Sequence, residues 1–268
     1  MRRLPWRQLR RPEHEWALLF AHIPKTAGSS LRDALGQLYL PDERLYLYDE
    51  ETLEGAVHPA EFGGVPEEER ARLRFIAGHF YFDLHEQVPQ ESRYITAGRD
   101  PIDRVASLYF HYRRLAGITA QTRDGSEGRL ILEEGLSLDE WGFGLERIEI
   151  DNDMVRHVSA RRGVEFGTCT DDMLDDALEH VDQLAACVLV VERMKESVRA
   201  LGSVLGVRLP RMRRQNVNEQ RSPIGALDPD MVARVRELNR LDEVFYREMN
   251  ERLDALGAGR RRWSLRSW

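Results

Sequence analysis

The sequence has few cysteines, few lysines and no long apolar run. Its two cysteines, Cys169 and Cys187, are too few and too far apart for a zinc cage or a disulfide framework, so we expect packed thiols. No stretch approaches the roughly 20 apolar residues of a membrane-spanning helix. The Arg-rich start, residues 1–11, lacks the small-residue cleavage site of a secretory signal. These absences predict a cytoplasmic protein without a transmembrane segment, and the preference for arginine over lysine favours a GC-rich bacterial gene.

The net charge and the length narrow the class of protein further. A formal net charge of −7 argues against a surface that coats nucleic acid. A chain of 268 residues is long enough for one large α/β domain, which we place at residues 16–256, after an N-terminal extension of residues 1–15. The basic, aromatic C-terminal tail, residues 257–268, is typical of a solvated terminus, although its charge would also suit an acidic partner or a membrane surface.

Apolar runs alternate with helical patterns along the chain. Strands are predicted at residues 16–23, 73–79, 93–98 and 187–191, and helices at residues 31–38, 101–115, 170–184, 192–205 and 228–256. Residues 41–72 show only one helical turn, at 67–70, and residues 117–128 are predicted to form a polar loop. The pattern predicts the fold class α/β, a P-loop-like three-layer domain with a central, mainly parallel sheet flanked by helices.

An anion-binding loop is indicated directly after the first strand by the segment Pro24-Lys25-Thr26-Ala27-Gly28-Ser29-Ser30. Backbone N–H groups and the dipole of the following helix favour an anion there, Lys25 adds a positive charge, and Gly28 permits close approach of a ligand. A nucleoside-triphosphate P-loop does not fit, because its lysine follows the last glycine, whereas Lys25 precedes Gly28. Taken alone, the loop also fits a simple helix cap with an exposed lysine.

The same segment, extended to His22-Ile-Pro-Lys-Thr-Ala-Gly-Ser-Ser-Leu31, closely resembles the 5′-phosphosulfate loop of sulfotransferases that use 3′-phosphoadenosine 5′-phosphosulfate (PAPS). It is most similar to the carbohydrate branch of that family, which includes the heparan-sulfate uronosyl 2-O-sulfotransferases. The resemblance implies that the 5′-phosphosulfate is wrapped by Lys25, Thr26, Ala27, Gly28, Ser29 and Ser30. It also implies that Lys25 contacts the oxygen between phosphorus and sulfur, where a cation stabilises charge on the departing phosphate.

A second motif, Arg99-Asp100-Pro101-Ile-Asp-Arg104-Val-Ala-Ser107-Leu-Tyr109, resembles the 3′-phosphate motif of the same family. The resemblance implies that Arg99 and Ser107 bind the 3′-phosphate of the nucleotide, and we interpret Asp100 and Arg104 as structural. In isolation, Arg99 would equally fit an ion pair with a neighbouring carboxylate. Weaker similarities at residues 152–160 and 188–205 extend the resemblance over most of residues 16–256.

Sulfuryl transfer requires a base near the sulfate, and histidine suits this role at neutral pH. His79 follows a predicted strand in the segment Ala77-Gly78-His79-Phe80, which resembles the Gly-His step that carries the base in the uronosyl 2-O-sulfotransferases. We therefore predict His79 as the general base. His22 lies on the strand before the loop, where packing is the expected role. The weaker alternatives for the base are His85, His111, His157, Asp49, Glu50 and Glu51.

These patterns together predict a sulfotransferase that moves a sulfuryl group from PAPS to an acceptor hydroxyl, on a carbohydrate by the resemblance, without a metal ion. A basic loop at residues 211–221 either closes over the nucleotide or is simply solvated. Asn152 and Arg156 are candidates to reach an acceptor, but the chain departs from the better-known members of the family there, and we assign them no role. Two alternatives stay open: a nucleotide-dependent small-molecule kinase, and a nucleotide-binding module without catalytic activity.

Overall fold

The strands of this computed structural model, which describes residues 11–48, 53, 56–115, 123–212 and 228–257, form one parallel sheet. The strands are β1 Ala17–Ala21, β2 Arg44–Leu47, β3 Phe75–Gly78, β4 Ser92–Gly98 and β5 Ala185–Val190. Their order across the sheet is β2-β3-β1-β4-β5, so β1 is central and has β3 and β4 as its neighbours. All four strand pairs are parallel, which confirms the predicted α/β class.

Both faces of the sheet are buried, as β1 illustrates. Its alternate residues Ala17, Leu19 and Ala21 belong to one apolar cluster, whereas Leu18 and Phe20 belong to another on the opposite face. All five side chains are fully buried. A strand covered on both faces needs apolar residues at every position, which explains the continuous apolar run in the sequence.

Helices cover the two faces of the sheet. They are α1 Gly28–Gly36, α2 Glu67–Arg70, α3 Pro101–Leu115, α4 Arg123–Glu133, α5 Asp153–Ser159, α6 Asp171–Leu184, α7 Met194–Leu205, α8 Pro229–Leu238 and α9 Arg240–Gly257. Residues of α1 and α7 pack on one face of the sheet, and residues of α5, α6 and α9 pack on the other. The three-layer architecture is therefore confirmed. None of the described helices is both long and apolar enough to cross a membrane.

The start of α3 agrees with the predicted boundary. The Asp100 carboxylate accepts a hydrogen bond from the N–H of Asp103 at 2.9 Å, and Pro101 occupies the first turn. A carboxylate before a proline in the first turn is a strong helix-start signal, because it supplies an acceptor while proline lacks the N–H that would remain unsatisfied. Asp100 thus has the structural role expected of it.

The structure differs from the prediction in three places. Strand β2 was not predicted, because Arg44–Leu47 is short and three of its four residues are only partly buried at the sheet edge.

The expected loop at residues 117–128 ends in helix, since α4 begins at Arg123. Gly125 and Gly128 are buried three residues apart in α4, which packs on α3. Small residues at this spacing allow two helices to approach closely, and this packing outweighs the low helix propensity of glycine.

The third error concerns the last predicted helix, which is two helices. Asn239 separates α8 from α9, and its side-chain amide donates to the carbonyl oxygens of Ile150 and Val235 at 2.7 and 2.9 Å. Its Oδ1 accepts from the N–H of Asn152 at 3.1 Å. Hydrogen bonds to a distant part of the chain thus interrupt a sequence whose apolar spacing is continuous. Helix α9 packs on the sheet, as predicted.

Candidate active site

Three chemically distinctive residues follow the ends of adjacent strands. Lys25 lies in the loop after β1, His79 comes directly after β3, and Arg99 directly after β4. The register pairs Ala21 with Gly78 on one side and with Thr96 on the other. Because the carboxyl ends of parallel strands meet at one edge of a sheet, His79 and Arg99 flank the loop from opposite sides. The structure therefore brings these three predicted site residues together.

The loop after β1 has an unusual backbone. Lys25 and Ala27 adopt left-handed conformations with φ of 70° and 63°, which cost a non-glycine residue about 1–2 kcal/mol each. Thr26 between them is fully buried, and its hydroxyl donates to the carbonyl of Ile23 at 2.8 Å. Thr26 thus stabilises the turn from inside. Such conformations persist where the surroundings enforce them, and they concentrate at ligand-binding sites.

The first turn of α1 offers backbone donors to an anion. Ala27 is the residue before the helix, no side chain caps it, and no acidic residue lies in the first turn. The first N–H groups of a helix have no acceptor within the helix, and the helix dipole adds partial positive charge there. Ser29 and Ser30 are half-buried in this turn, and Lys25 precedes it. The arrangement has the chemistry of a phosphate or sulfonate cradle.

Gly28 is required at the start of α1 by a close neighbour. A β-carbon built on Gly28 would lie 1.8 Å from Cδ2 of the His22 imidazole. His22 itself is only 7% exposed, which confirms that it is packed. The imidazole therefore lies directly beneath the anion-binding loop, and no larger residue fits between them.

Arg99 joins the two predicted nucleotide motifs. Its guanidinium donates from Nη1 to the carbonyl oxygen of Lys25 at 3.1 Å. The carboxylates of Asp103 and Glu192 lie 3.9 and 4.0 Å from the guanidinium, which is beyond hydrogen-bond length. Ser107 is half-buried on α3, six residues after Pro101. The side chain of Arg99 is thus aligned by the loop itself, with two carboxylates at a longer range.

His79 is held by rings on two sides. Its backbone N–H donates to the carbonyl of Leu47 at 2.9 Å, and its imidazole is half-buried. The ring centroid lies 4.7 Å from that of Tyr48 and 4.8 Å from that of His22. Burial raises the pKa of Tyr48 to about 12, so this phenol stays neutral. The Arg32 guanidinium lies 5.5 Å from the centre of the Tyr48 ring.

Tyr48 and Arg32 were missed by sequence analysis. Tyr48 directly follows β2, the edge strand that the pattern did not reveal. Recognition of that strand would have placed Tyr48 at the same edge as the other site residues, because its strand is also parallel. Arg32 lies on α1, one turn beyond the loop, and the available signal in the sequence was a second positive charge so close to Lys25.

The other histidines are poorer candidates for the base. Burial, followed by the charges of His79, Arg32 and Lys25, lowers the pKa of His22 well below its usual range, and the buried ring is inaccessible. Burial also disfavours the charged form of His157, but the Asp153 carboxylate outweighs it and raises the pKa of His157. A histidine that is held protonated accepts a proton poorly.

Two further alternatives lie away from the loop. The His85 ring lies 3.2 Å, at Nδ1, from the hydroxyl of Tyr94, near the beginning of β4 and so at the opposite end from Arg99. His111 lies ten residues into α3, about 15 Å along the helix from Pro101. The remaining alternatives, Asp49, Glu50 and Glu51, lie outside the described residues, as do most of the late basic loop and all but the first residue of the C-terminal tail.

Several polar residues near α5 are buried in a separate group, which we call the capping network: Asp151, Asn152, Arg156, Asn239 and Asp242. All except Arg156, at 5%, are no more than 3% exposed. Arg156 donates to the carbonyl oxygens of Asp151, Val164 and Glu165, and to the Asp151 carboxylate. These side chains are used within the fold. Arg104, fully buried, likewise pairs with Asp153 at 2.9 Å, as expected of a structural residue.

A cavity of about 290 Å³ opens beside the capping network rather than at the strand ends. Its lining includes Phe143, Cys169, Arg234 and Arg240, none of which was predicted to bind the nucleotide. Arg234 and Arg240 form ion pairs with Asp139 and Asp171. We assign the site by the chemistry at the strand ends and not by this cavity. Among the described residues, no group of three or more histidines, cysteines or carboxylates is arranged to hold a metal ion.

No protein-family model matches the chain, and no curated protein matches it. Among solved structures, a sulfotransferase from Alicyclobacillus acidocaldarius aligns with a TM-score of 0.40 and 16% identity, over 92% of this chain and 100% of that chain. Mouse sulfotransferase SULT7A1, complexed with PAP, aligns with a TM-score of 0.36 and 14% identity, over 85% of this chain and 64% of that chain. The chain thus spans less than two thirds of the mouse protein. At these low scores the functional argument depends on the site alone.

Proposed function

We propose that this protein is a sulfotransferase that moves a sulfuryl group from PAPS to an acceptor hydroxyl. The observation that carries the proposal is the hydrogen bond from Arg99 to the Lys25 carbonyl, which joins the two predicted phosphate motifs at adjacent strand ends. His79 lies on the other side of the same loop. Two cationic subsites fit a nucleotide phosphorylated at both the 3′ and 5′ positions better than a nucleotide with a single phosphate chain.

The loop and the start of α1 would bind the 5′-phosphosulfate. Lys25 supplies the full positive charge, and the backbone of Ala27, Gly28 and Ser29 supplies donors with no acceptor inside the helix. Thr26 acts by holding the turn, since its hydroxyl is bonded to Ile23. The hydroxyl of Ser30 lies in the same first turn. The arrangement neutralises the anion without requiring a metal ion.

The 3′-phosphate would bind beside Arg99 at the start of α3. A guanidinium presents several N–H donors in one plane and forms two parallel hydrogen bonds with a phosphate. Ser107 would add a hydroxyl donor from the second turn of α3. The carboxylates of Asp103 and Glu192, which lie about 4 Å away, would keep the guanidinium oriented before the nucleotide arrives.

In the proposed reaction the acceptor oxygen attacks sulfur opposite the bridging oxygen. The acceptor O–H proton passes to the imidazole of His79, and a new oxygen–sulfur bond forms. The bond between sulfur and the bridging oxygen breaks, and its electron pair stays on the 5′-phosphate. Lys25 stabilises that negative charge. The products are a sulfate ester and 3′-phosphoadenosine 5′-phosphate (PAP).

We further propose a carbohydrate hydroxyl as the acceptor, on the resemblance of the loop and of the Gly78-His79 step to the carbohydrate branch. A sugar hydroxyl is a weak acid, so its attack on sulfur needs a positioned base more than that of a phenol does. His79 is half-buried at the carboxyl end of β3, next to the rings of Tyr48 and His22.

The experiment that tests the function uses PAPS labelled with radioactive sulfur and a panel of acceptors: neutral oligosaccharides, acidic oligosaccharides and simple phenols. We expect the full chain to release PAP and to label at least one sugar, with the rate unchanged by a metal chelator. Lys25→Ala should abolish transfer. Lys195→Ala is a matched control, because Lys195, on α7, is the only other lysine and is exposed. Phosphoryl transfer from magnesium-ATP, without transfer from PAPS, would overturn the proposal.

A further inference from the structure

His22 touches both halves of the candidate active site. It directly follows β1, and its side chain is almost entirely buried. On one side the imidazole lies against Gly28, where an added β-carbon would be 1.8 Å away. On the other side its ring centroid is 4.8 Å from that of His79. The side chain therefore fills the space between the anion-binding loop and the predicted base.

A second path connects the same residues through Tyr48. Nδ1 of His22 lies 3.1 Å from the Tyr48 hydroxyl, within hydrogen-bond length. The Tyr48 ring in turn stands edge-on to the His79 ring, with centroids 4.7 Å apart. His22 thus orients His79 directly by ring contact and indirectly by fixing Tyr48. Close-packed rings of this kind transmit small displacements, because there is no free volume to absorb them.

His22 is unsuited to proton transfer. Burial lowers its pKa, and the neighbouring charged groups, His79, Arg32, Lys25 and His157, lower it further. The ring therefore stays neutral at neutral pH, where a charged ring would repel both Lys25 and a protonated His79. Its contribution has to come from contact and hydrogen bonding.

We propose that His22 is a positioning residue that couples the anion-binding loop to His79, so that nucleotide binding at Gly28 sets the orientation of the base. The inference rests on the proposed function and extends it. An anion bound to the N–H groups around Gly28 fixes the loop backbone against the imidazole of His22. The imidazole of His22 is then restricted to one orientation, and His79 and Tyr48 pack against it. The base is aligned when the nucleotide is present.

The first test observes His79 directly and needs no acceptor. Imidazole NMR spectra of the full chain are recorded with and without PAP, and the His79 signals are identified by their loss in His79→Gln. We expect PAP to shift the His79 signals in the wild type, and His22→Ala to lose most of that shift while still binding PAP. His85→Ala, which removes a half-buried histidine near the beginning of β4, should leave the shift intact.

Two variants keep the test informative if His22→Ala does not fold. His22→Asn keeps a polar atom near the position of Nδ1 and so retains the link to Tyr48, and we expect an intermediate shift. Gly28→Ala displaces the imidazole from the loop side and should perturb the His79 signals before PAP is added. Gly64→Ala is its control, because no atom lies within 4 Å of a β-carbon built there.

A double-mutant cycle, measured by steady-state kinetics, distinguishes a positioning role of His22 from a general loss of structure. His22→Ala should lower kcat about tenfold or more in the wild-type background with a smaller effect on KM, but should have almost no effect in the His79→Ala background. An equal loss in both backgrounds, or a His79 response to PAP that survives His22→Ala, would overturn the inference. Failure of the wild type to bind PAP would instead overturn the proposed function, so the two failures are distinguishable.

Discussion

Two regions of this protein are rich in polar side chains, and they differ in how those side chains are used. At the carboxyl edge of the sheet, Lys25, His79 and Arg99 are half-buried and lie around a loop with two left-handed non-glycine residues. In the capping network, Asn152 and Asp242 are buried and bonded within the fold. The side chains of the first region are partly exposed, whereas Asn152 and Asp242 in the second are buried and accept hydrogen bonds from the backbone of another helix.

The capping network joins two helices reciprocally. The Asn152 side-chain oxygen accepts from the N–H groups of Leu241 and Asp242, at 3.0 and 3.1 Å, and so caps α9. The Asp242 carboxylate accepts from the N–H groups of Met154 and Val155, at 3.1 and 2.9 Å, and so caps α5. Each helix supplies the acceptor that the other needs at its first turn. The comparison teaches that neither polar content nor a left-handed backbone separates the two regions, since Asn152 is also left-handed, whereas the exposure of the polar side chains does.

The largest expected effect concerns His79. His79→Ala should reduce turnover by about 10²–10⁴-fold, because a positioned general base contributes this much. PAP affinity should stay unchanged, since the imidazole is not assigned to the nucleotide. Turnover is measured with labelled PAPS and affinity by calorimetry. If turnover were unchanged in His79→Ala, His79 would not be the general base, and one of the alternative residues would have to take that role.

The opposite behaviour is expected in the capping network. Asn152→Ala should lower the free energy of unfolding by about 3–4 kcal/mol, because it leaves buried N–H groups without acceptors and forces alanine into a left-handed conformation. Asn152 has a φ of 46°. Denaturant unfolding gives the value, and Asn250→Ala, a half-buried asparagine on α9, should cost much less. If Asn152→Ala had normal stability but bound PAP more weakly, the capping network would belong to the binding site, and the contrast between the two regions would be wrong.

The pH dependence of stability tests Asp242. Burial raises its pKa to about 6, above the usual 3.8, so the folded protein holds a proton that the unfolded chain has released at intermediate pH. The stability from this group is therefore present below about pH 4 and is lost as the pH rises through 6, by up to about 3 kcal/mol. The difference in unfolding free energy between wild type and Asp242→Asn should fall over this range, and a difference independent of pH would contradict the assignment.

A smaller effect is expected at the 3′-phosphate subsite. Arg99→Ala should weaken PAP binding by about 2 kcal/mol, the usual contribution of hydrogen bonds to a charged group, which corresponds to roughly 30-fold. Binding of AMP, which has no 3′-phosphate, should change much less. Arg93→Ala is a matched control, because Arg93 lies on β4, the strand that Arg99 directly follows, and has a similar exposed fraction, 14% against 13%. Equal losses for PAP and AMP would place the 3′-phosphate elsewhere.

Local pattern predicted the parts of the site that follow buried strands. The apolar run of β1 and the proline after Asp100 fix where the loop and α3 begin, because both signals lie within a few residues of the boundary. The sequence therefore predicts that Lys25, His79 and Arg99 each follow a strand. The contact of Arg99 with the Lys25 carbonyl required the fold, since it joins residues 74 positions apart.

The parts that sequence analysis missed depend on distant contacts. Strand β2 has no apolar run because it lies at the sheet edge, so Tyr48 was not placed beside His79. Asn239 interrupts a continuous helical pattern through hydrogen bonds to Ile150 and Asn152, almost 90 residues away. No local signal such as glycine or proline marks that break. A single sequence contains no local pattern that predicts long-range hydrogen bonds of this kind.

The central claim is that the loop and the start of α3 form one site for a nucleotide phosphorylated at both its 3′ and 5′ positions. Calorimetric titration of the wild type with PAP, ATP and AMP tests it most directly. We expect PAP to bind much more tightly than AMP, without magnesium, and ATP to bind weakly. Tight binding of magnesium-ATP with no binding of PAP would contradict it.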